Sequence, residues 1–180
     1  MKLSNIAAIF ALLTTFAALA AGQAPVQTAP VKVGVVNSLQ FSNPQGGITR
    51  LTTALRTLET EFKPRRDEIA GLVSRFNELQ KPAPPNQTRE QLAARRDQAQ
   101  TLQIDITRKQ EDARTAYTKR LSALTDPIRQ SIFTALQAYA KQRGLDLLID
   151  ASKFPDGVYL MNEAADLTPG FIRDYNTRNP

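Results

Sequence analysis

Side chains able to do chemistry are few in this chain, and nearly all of them are charged. Asp146 and Asp150 lie four residues apart in the apolar run Leu145-Asp146-Leu147-Leu148-Ile149-Asp150-Ala151. In a strand that spacing puts both carboxylates on one face, roughly two pleats apart. Such a pair admits acid–base work, but it suits a solubilised strand edge better. The doublets Arg65-Arg66 and Arg95-Arg96 could grip phosphate, yet no glycine-rich loop, stacking aromatic pattern or groove-reading motif accompanies them, so nucleic acid is not an expected partner. Asn86-Gln87-Thr88 matches a glycosylation sequon, a motif short enough to arise by chance. The chain contains no cysteine and no histidine, which excludes disulfides, thiolate nucleophiles and His-based metal or triad sites. With no Walker-type loop or metal-ligand spacing either, we expect no enzyme, no cofactor and no metal.

The arginine doublets sit in the stretch that organises the rest of the chain. From Leu51 through Leu55, Leu58, Phe62, Ile69, Leu72, Phe76 and Leu79 the apolar residues step by four and three with one slot skipped at Arg65, a heptad seam on an otherwise polar helix. Three prolines in Lys81-Pro82-Ala83-Pro84-Pro85-Asn86 cannot continue a helix, so residues 82–87 form the tip of a hairpin. Beyond it Leu92, Ala99, Leu102, Ile106 and Ala113 keep the repeat, and a four-residue step to Tyr117 then shifts its phase. Laid antiparallel about the tip, Phe76 should meet Leu92, Phe62 should meet Ile106, and Leu51 should meet Tyr117. Pro64 falls inside the first helix without disturbing its repeat, which predicts a kink rather than a stop.

Residues 1–20 combine Lys2, an uncharged apolar run and Ala18-Leu19-Ala20, the pattern of a cleavable signal peptide rather than an uncleaved anchor. Residues 21–30 read as a flexible leader. Val31–Asn37 is a strand by its β-branched alternation, and a loop with Pro44 and Gly46-Gly47 leads to the first long helix, capped by Thr49 or Gly47. Asp126-Pro127 reads as the cap and first turn of a separate helix carrying Ile128, Ile132, Phe133, Leu136 and Tyr139. After Gly144 come the Leu145–Ala151 strand and a hairpin mate at Val158–Asn162. Thr168-Pro169 opens a last short helix, with Leu167 placed to staple against Ile172. The expected class is therefore α+β: a small β-body built from both chain ends, residues 31–48 and 126–180, with a coiled-coil hairpin, residues 49–125, inserted between them. Three short strands make a marginal unit with open edges, so self-association is expected. Val33, Val35, Leu147, Ile149 and Leu160 are the candidate oligomer contacts.

Charge separates the two parts. Residues 49–125 hold 15 basic and 10 acidic residues, while the rest of the chain after residue 20 holds 7 of each. A neutral head with basic arms suggests an acidic or weakly held partner, and Lys63, Arg65, Arg66, Arg75, Lys81, Arg95 and Arg96 are the candidate contacts. A merely solubilising charged coil is the plain alternative.

The order of these features resembles the Skp/OmpH family of periplasmic chaperones. The resemblance rests on the signal peptide, Val-Gly-Val-Val-Asn at 33–37 followed by Phe41, Leu-Asp-Leu-Leu-Ile-Asp-Ala at 145–151, Val-Tyr-Leu at 158–160, and Asp166-Leu167-Thr168 before the closing helix, with the charged hairpin between. It covers residues 31–176. It implies a periplasmic homotrimer whose strands form a central β-body and whose three arms enclose a cavity that holds unfolded outer-membrane or other exported proteins without ATP. The competing class is a structural or adaptor coil of the cell envelope, whose basic arms bind an anionic surface or polymer.

Overall fold

The three-and-four spacing of apolar residues folds into two long helices, α1 (Thr49–Gln80) and α2 (Arg89–Gln142), in a computed structural model that describes residues 30–154 and 162–180. The signal peptide, most of the leader, and Val158 to Met161 of the expected hairpin strand lie outside these residues. The proline-rich tip ends α1, and Thr88 restarts the chain with a capping box. Its hydroxyl accepts from the Gln91 amide at 3.3 Å while the Gln91 side chain accepts from the Thr88 amide at 2.9 Å.

The expected restart at Asp126-Pro127 does not occur: α2 runs through Pro127 unbroken. Proline costs about 3 kcal/mol in a helix interior, but here the helix is held on both sides. Thr125 is buried and its hydroxyl donates to the Leu121 carbonyl at 2.9 Å, while Leu124, Ile128 and Ile132 all enter the core of the head. Pro64 likewise lies within α1, which continues past it.

The register of the hairpin also differs from the expected one. Phe62 packs edge-to-face on Tyr117 with ring centroids 5.2 Å apart, not on Ile106. Ion pairs fix the same alignment, Glu61 with Arg120 at 2.7 Å and Glu68 with Lys109 at 2.7 Å. The tip is not a symmetric turn. Arg95, two turns into α2, lies against the end of α1, so the first turns of α2 extend past that end.

At the root, two four-residue strands, β1 (Val33–Val36) and β2 (Leu147–Asp150), pair in parallel with Val33 opposite Leu147 and Val36 opposite Asp150. Parallel pairing needs a long crossover, and the whole hairpin supplies it. Among the described residues the sheet has these two strands, extended by one bridge between Val35 and Asp166, while Asn162 caps a short 3-10 turn at Glu163–Ala165. Gly144, at φ +61°, ends α2 and lets the Leu145 amide return to the Ala140 carbonyl at 3.1 Å, which aims the chain into β2.

A short C-terminal helix, α3 (Thr168–Arg178), plugs the head. Phe171 and Tyr175 are fully buried, and Phe171 stacks with Phe41, Tyr139 and Tyr175 at 5.4 to 5.9 Å. Pro169 occupies the first turn of α3 as expected, but Thr168 is not its cap. Its buried hydroxyl instead accepts from the Asn37 amide and donates to Asp166, whose carboxylate takes the Thr168 amide at 2.9 Å. Nor do Thr49 or Gly47 cap α1 with a side chain. Asn176 of α3 does so from 127 residues away, accepting from the Thr49 amide at 3.0 Å and donating to the Gly47 carbonyl at 3.0 Å.

Candidate functional site

The two carboxylates that could have formed a dyad are used by the backbone. Asp146 accepts from the Lys32 amide at 2.8 Å, and Asp150 accepts from the Ser38 and Ser152 amides at 3.1 Å and from the Ser152 hydroxyl at 2.8 Å. Partial burial works to raise the Asp150 pKa, but the hydrogen bonds from Ser38 and Ser152 outweigh it and hold the carboxyl below its ordinary range. These are ties that hold β2 to the residues flanking β1 and to the turn after β2.

The candidate cations spread along the arm and differ in how free they are. Lys63 pairs with Asp67, Arg66 with Glu59 and Lys81 with Glu78, each at 2.6 Å and well exposed. Arg65 lies over the Phe62 ring at 5.0 Å. Arg75 and Arg96 are exposed and form no ion pair among the described residues. Arg95 is committed to the fold: its guanidinium donates to the carbonyls of Leu79, Glu78 and Lys81 at 2.9, 2.9 and 2.8 Å, closing the C-terminal end of α1. The doublet therefore divides, with one arginine holding the tip and its neighbour facing solvent. The Glu61–Arg120 pair is bidentate, and its hydrogen bonds lower the Glu61 pKa.

Burial falls off along the seam. Leu51, Ala54, Leu58 and Phe62 are buried near the head, whereas Ile69, Leu72, Phe76 and Leu79 are only half-covered. Two helices alone cannot enclose a seam, so the outer arm leaves apolar edges beside its cations.

Two apolar surfaces mark the head. On one face of the sheet Val33 and Leu147 are 42% and 50% exposed, with half-buried Val35 and Ile149 beside them in register. Of the five candidate oligomer residues these four share one face, while Leu160 lies outside the described residues. The second surface, which sequence reasoning did not single out, is a groove of about 690 Å³ at the root of the arm. It is bounded by the turn Ser38–Ser42, α1 and α2, and its walls include Leu39, Leu55, Tyr117, Leu121, Phe133 and Leu136. Leu39 and Phe133 are 70% and 57% exposed. The only signal for it in the sequence was Phe133 itself, assigned to the packed face of its helix.

Together these features define a head-and-arm protein: a small α+β head, a projecting basic coiled-coil hairpin, and apolar surface at the junction. The chain belongs to the OmpH-like outer membrane protein family, whose family model matches residues 47–174. Among solved structures, a candidate outer membrane chaperone (OmpH-like) from Caulobacter crescentus CB15 is 18% identical, with 83% of this chain and 86% of that one covered and a TM-score of 0.43. No curated protein matches the chain.

Proposed function

We propose that this protein is an energy-independent holding chaperone for unfolded exported chains, outer-membrane proteins above all. The observation that carries the reading is the arm itself, with a net charge of +5 and a seam that two helices leave half-covered. Charge of that kind draws an extended client in over distance, and the apolar edges then hold it weakly enough to release. Membership of the OmpH-like family supports the reading. The exposed face of Val33, Val35, Leu147 and Ile149 is the surface on which three copies associate, so that their arms enclose a shared cavity. Residues 1–20 direct the chain to the periplasm and are removed there. The protein works there without nucleotide, metal or catalysis.

The test is suppression of aggregation when an unfolded β-barrel membrane protein is diluted from denaturant, at stated salt and without ATP. Suppression at near-stoichiometric trimer is expected, and its absence at any salt would reject the proposal. The alternative is an envelope coil whose basic arm, with its net charge of +5, binds an anionic surface or polymer. That alternative predicts adsorption to an anionic polymer with no effect on aggregation.

A further inference from the structure

We infer that the groove at the root of the arm is a docking site for an apolar polypeptide segment carrying acidic residues, a client class that rests on the holding reading above. Its apolar walls leave Leu39, Phe133 and Tyr117 respectively 70%, 57% and 38% exposed, three of the eight large hydrophobic side chains left exposed among the described residues. The charged side chains that line it are Arg129 and Lys153, and no carboxylate does. Arg129 reaches Asp126 only at 3.9 Å, with both groups exposed, and Lys153 has no ion pair among the described residues. An apolar trough with a cationic rim complements a segment in which bulky apolar residues alternate with Asp or Glu. At about 690 Å³ the groove falls in the size range of small-ligand sites, so it takes a few side chains of an extended chain rather than a folded surface. Its place at the arm root sets it apart from the outer arm, so it adds a second hold on the client to the apolar edges of the seam.

Two synthetic peptides test this, one alternating Phe or Leu with Glu and its counterpart with Lys, titrated by fluorescence anisotropy against the full mature chain. The Glu peptide should bind more tightly. Leu39→Ala together with Phe133→Ala should weaken it by roughly tenfold, the scale expected for losing about one large apolar contact. Arg129→Gln with Lys153→Gln should erase more of the preference for Glu than Arg65→Gln with Arg66→Gln, which removes the same charge from the arm. Equal effects of the two charge pairs, or no effect of the apolar pair, would overturn the assignment. So would dissociation of the oligomer by the apolar pair in sedimentation, since a second copy would then occupy the groove. Aggregation suppression separates this from the parent reading. If the wild-type protein suppresses aggregation and the apolar pair does so equally well, the groove proposal fails alone. If the wild-type protein does not suppress it while groove-dependent peptide binding persists, the holding reading fails and the groove stands.

Discussion

Arg95 donates three hydrogen bonds to carbonyls at the end of α1, where a helix otherwise leaves its last acceptors to water. Arginine suits this because its planar fork presents several donors in fixed directions, which a lysine ammonium cannot do. Arg95→Gln should therefore fray the last turn of α1, at a cost of about 1–3 kcal/mol for charge-assisted hydrogen bonds at a half-exposed site. Hydrogen exchange should show faster amides just before Lys81, with Arg95→Lys rescuing only part of the protection. Full rescue by lysine would mean that charge alone matters. Asp150 makes a different claim, about pH. Its folded pKa is depressed, so the folded state binds that proton less tightly than the unfolded chain does. The resulting stability is fully present above the ordinary Asp range and is lost as pH falls through the depressed folded value. The gap in melting temperature between wild type and Asp150→Asn should thus be widest near about pH 7 and close as pH falls through and below the ordinary Asp range. A gap independent of pH would show that the ionised form contributes nothing.

At the scale of elements, Pro127 shows where local rules yield to packing. Asp126-Pro127 carries every mark of a helix start, yet buried Thr125 and Ile128 on either side hold one continuous helix through it. Pro127→Ala should then stabilise the protein, restoring a backbone donor to the Ala123 carbonyl. The gain should be about 1–3 kcal/mol, reduced by the greater freedom alanine gives the unfolded chain, and thermal or urea denaturation would measure it. A neutral or destabilising change would indicate that the proline marks a needed bend. The helical repeat itself was legible because the seam depends only on residues three and four apart. Register was not, since a symmetric tip was the simplest closure, and Arg95 reaching back to Leu79 is a contact between helices that no spacing rule contains. The same holds for the cap that Asn176 gives α1 and for Thr168 tying Asn37 to Asp166, where both partners look like ordinary turn residues in sequence. The basic arm was legible as a sum of charges. The division of its arginines into structural and free ones was not, and neither was the groove, because Phe133 fits the apolar period of α2 while standing largely in water.

At the scale of the whole molecule, the excess positive charge of the chain after residue 20 lies entirely on the hairpin, and the proposed trimer would carry three such arms. Attraction of an unfolded client over several ångströms should follow that charge and weaken as salt shortens the Debye length from roughly 10 Å at 0.1 M to 3 Å at 1 M. Substituting Arg95 in such a test would confuse capture with fraying of the tip, so the informative set is Arg65, Arg66 and Arg96, each changed to Gln. Arg66 gives up only an exposed pair with Glu59, worth little by itself, and Arg65 a surface contact with Phe62. Stopped-flow mixing with an unfolded β-barrel protein should show slower association and a shallower dependence on salt, with dissociation nearly unchanged because the grip is apolar. Sedimentation should find the oligomer intact, since its proposed contacts at Val33, Val35, Leu147 and Ile149 lie on the neutral head. Unchanged association at low salt would remove the arms as the capturing surface, and dissociation of the oligomer would place its contacts on the arms instead.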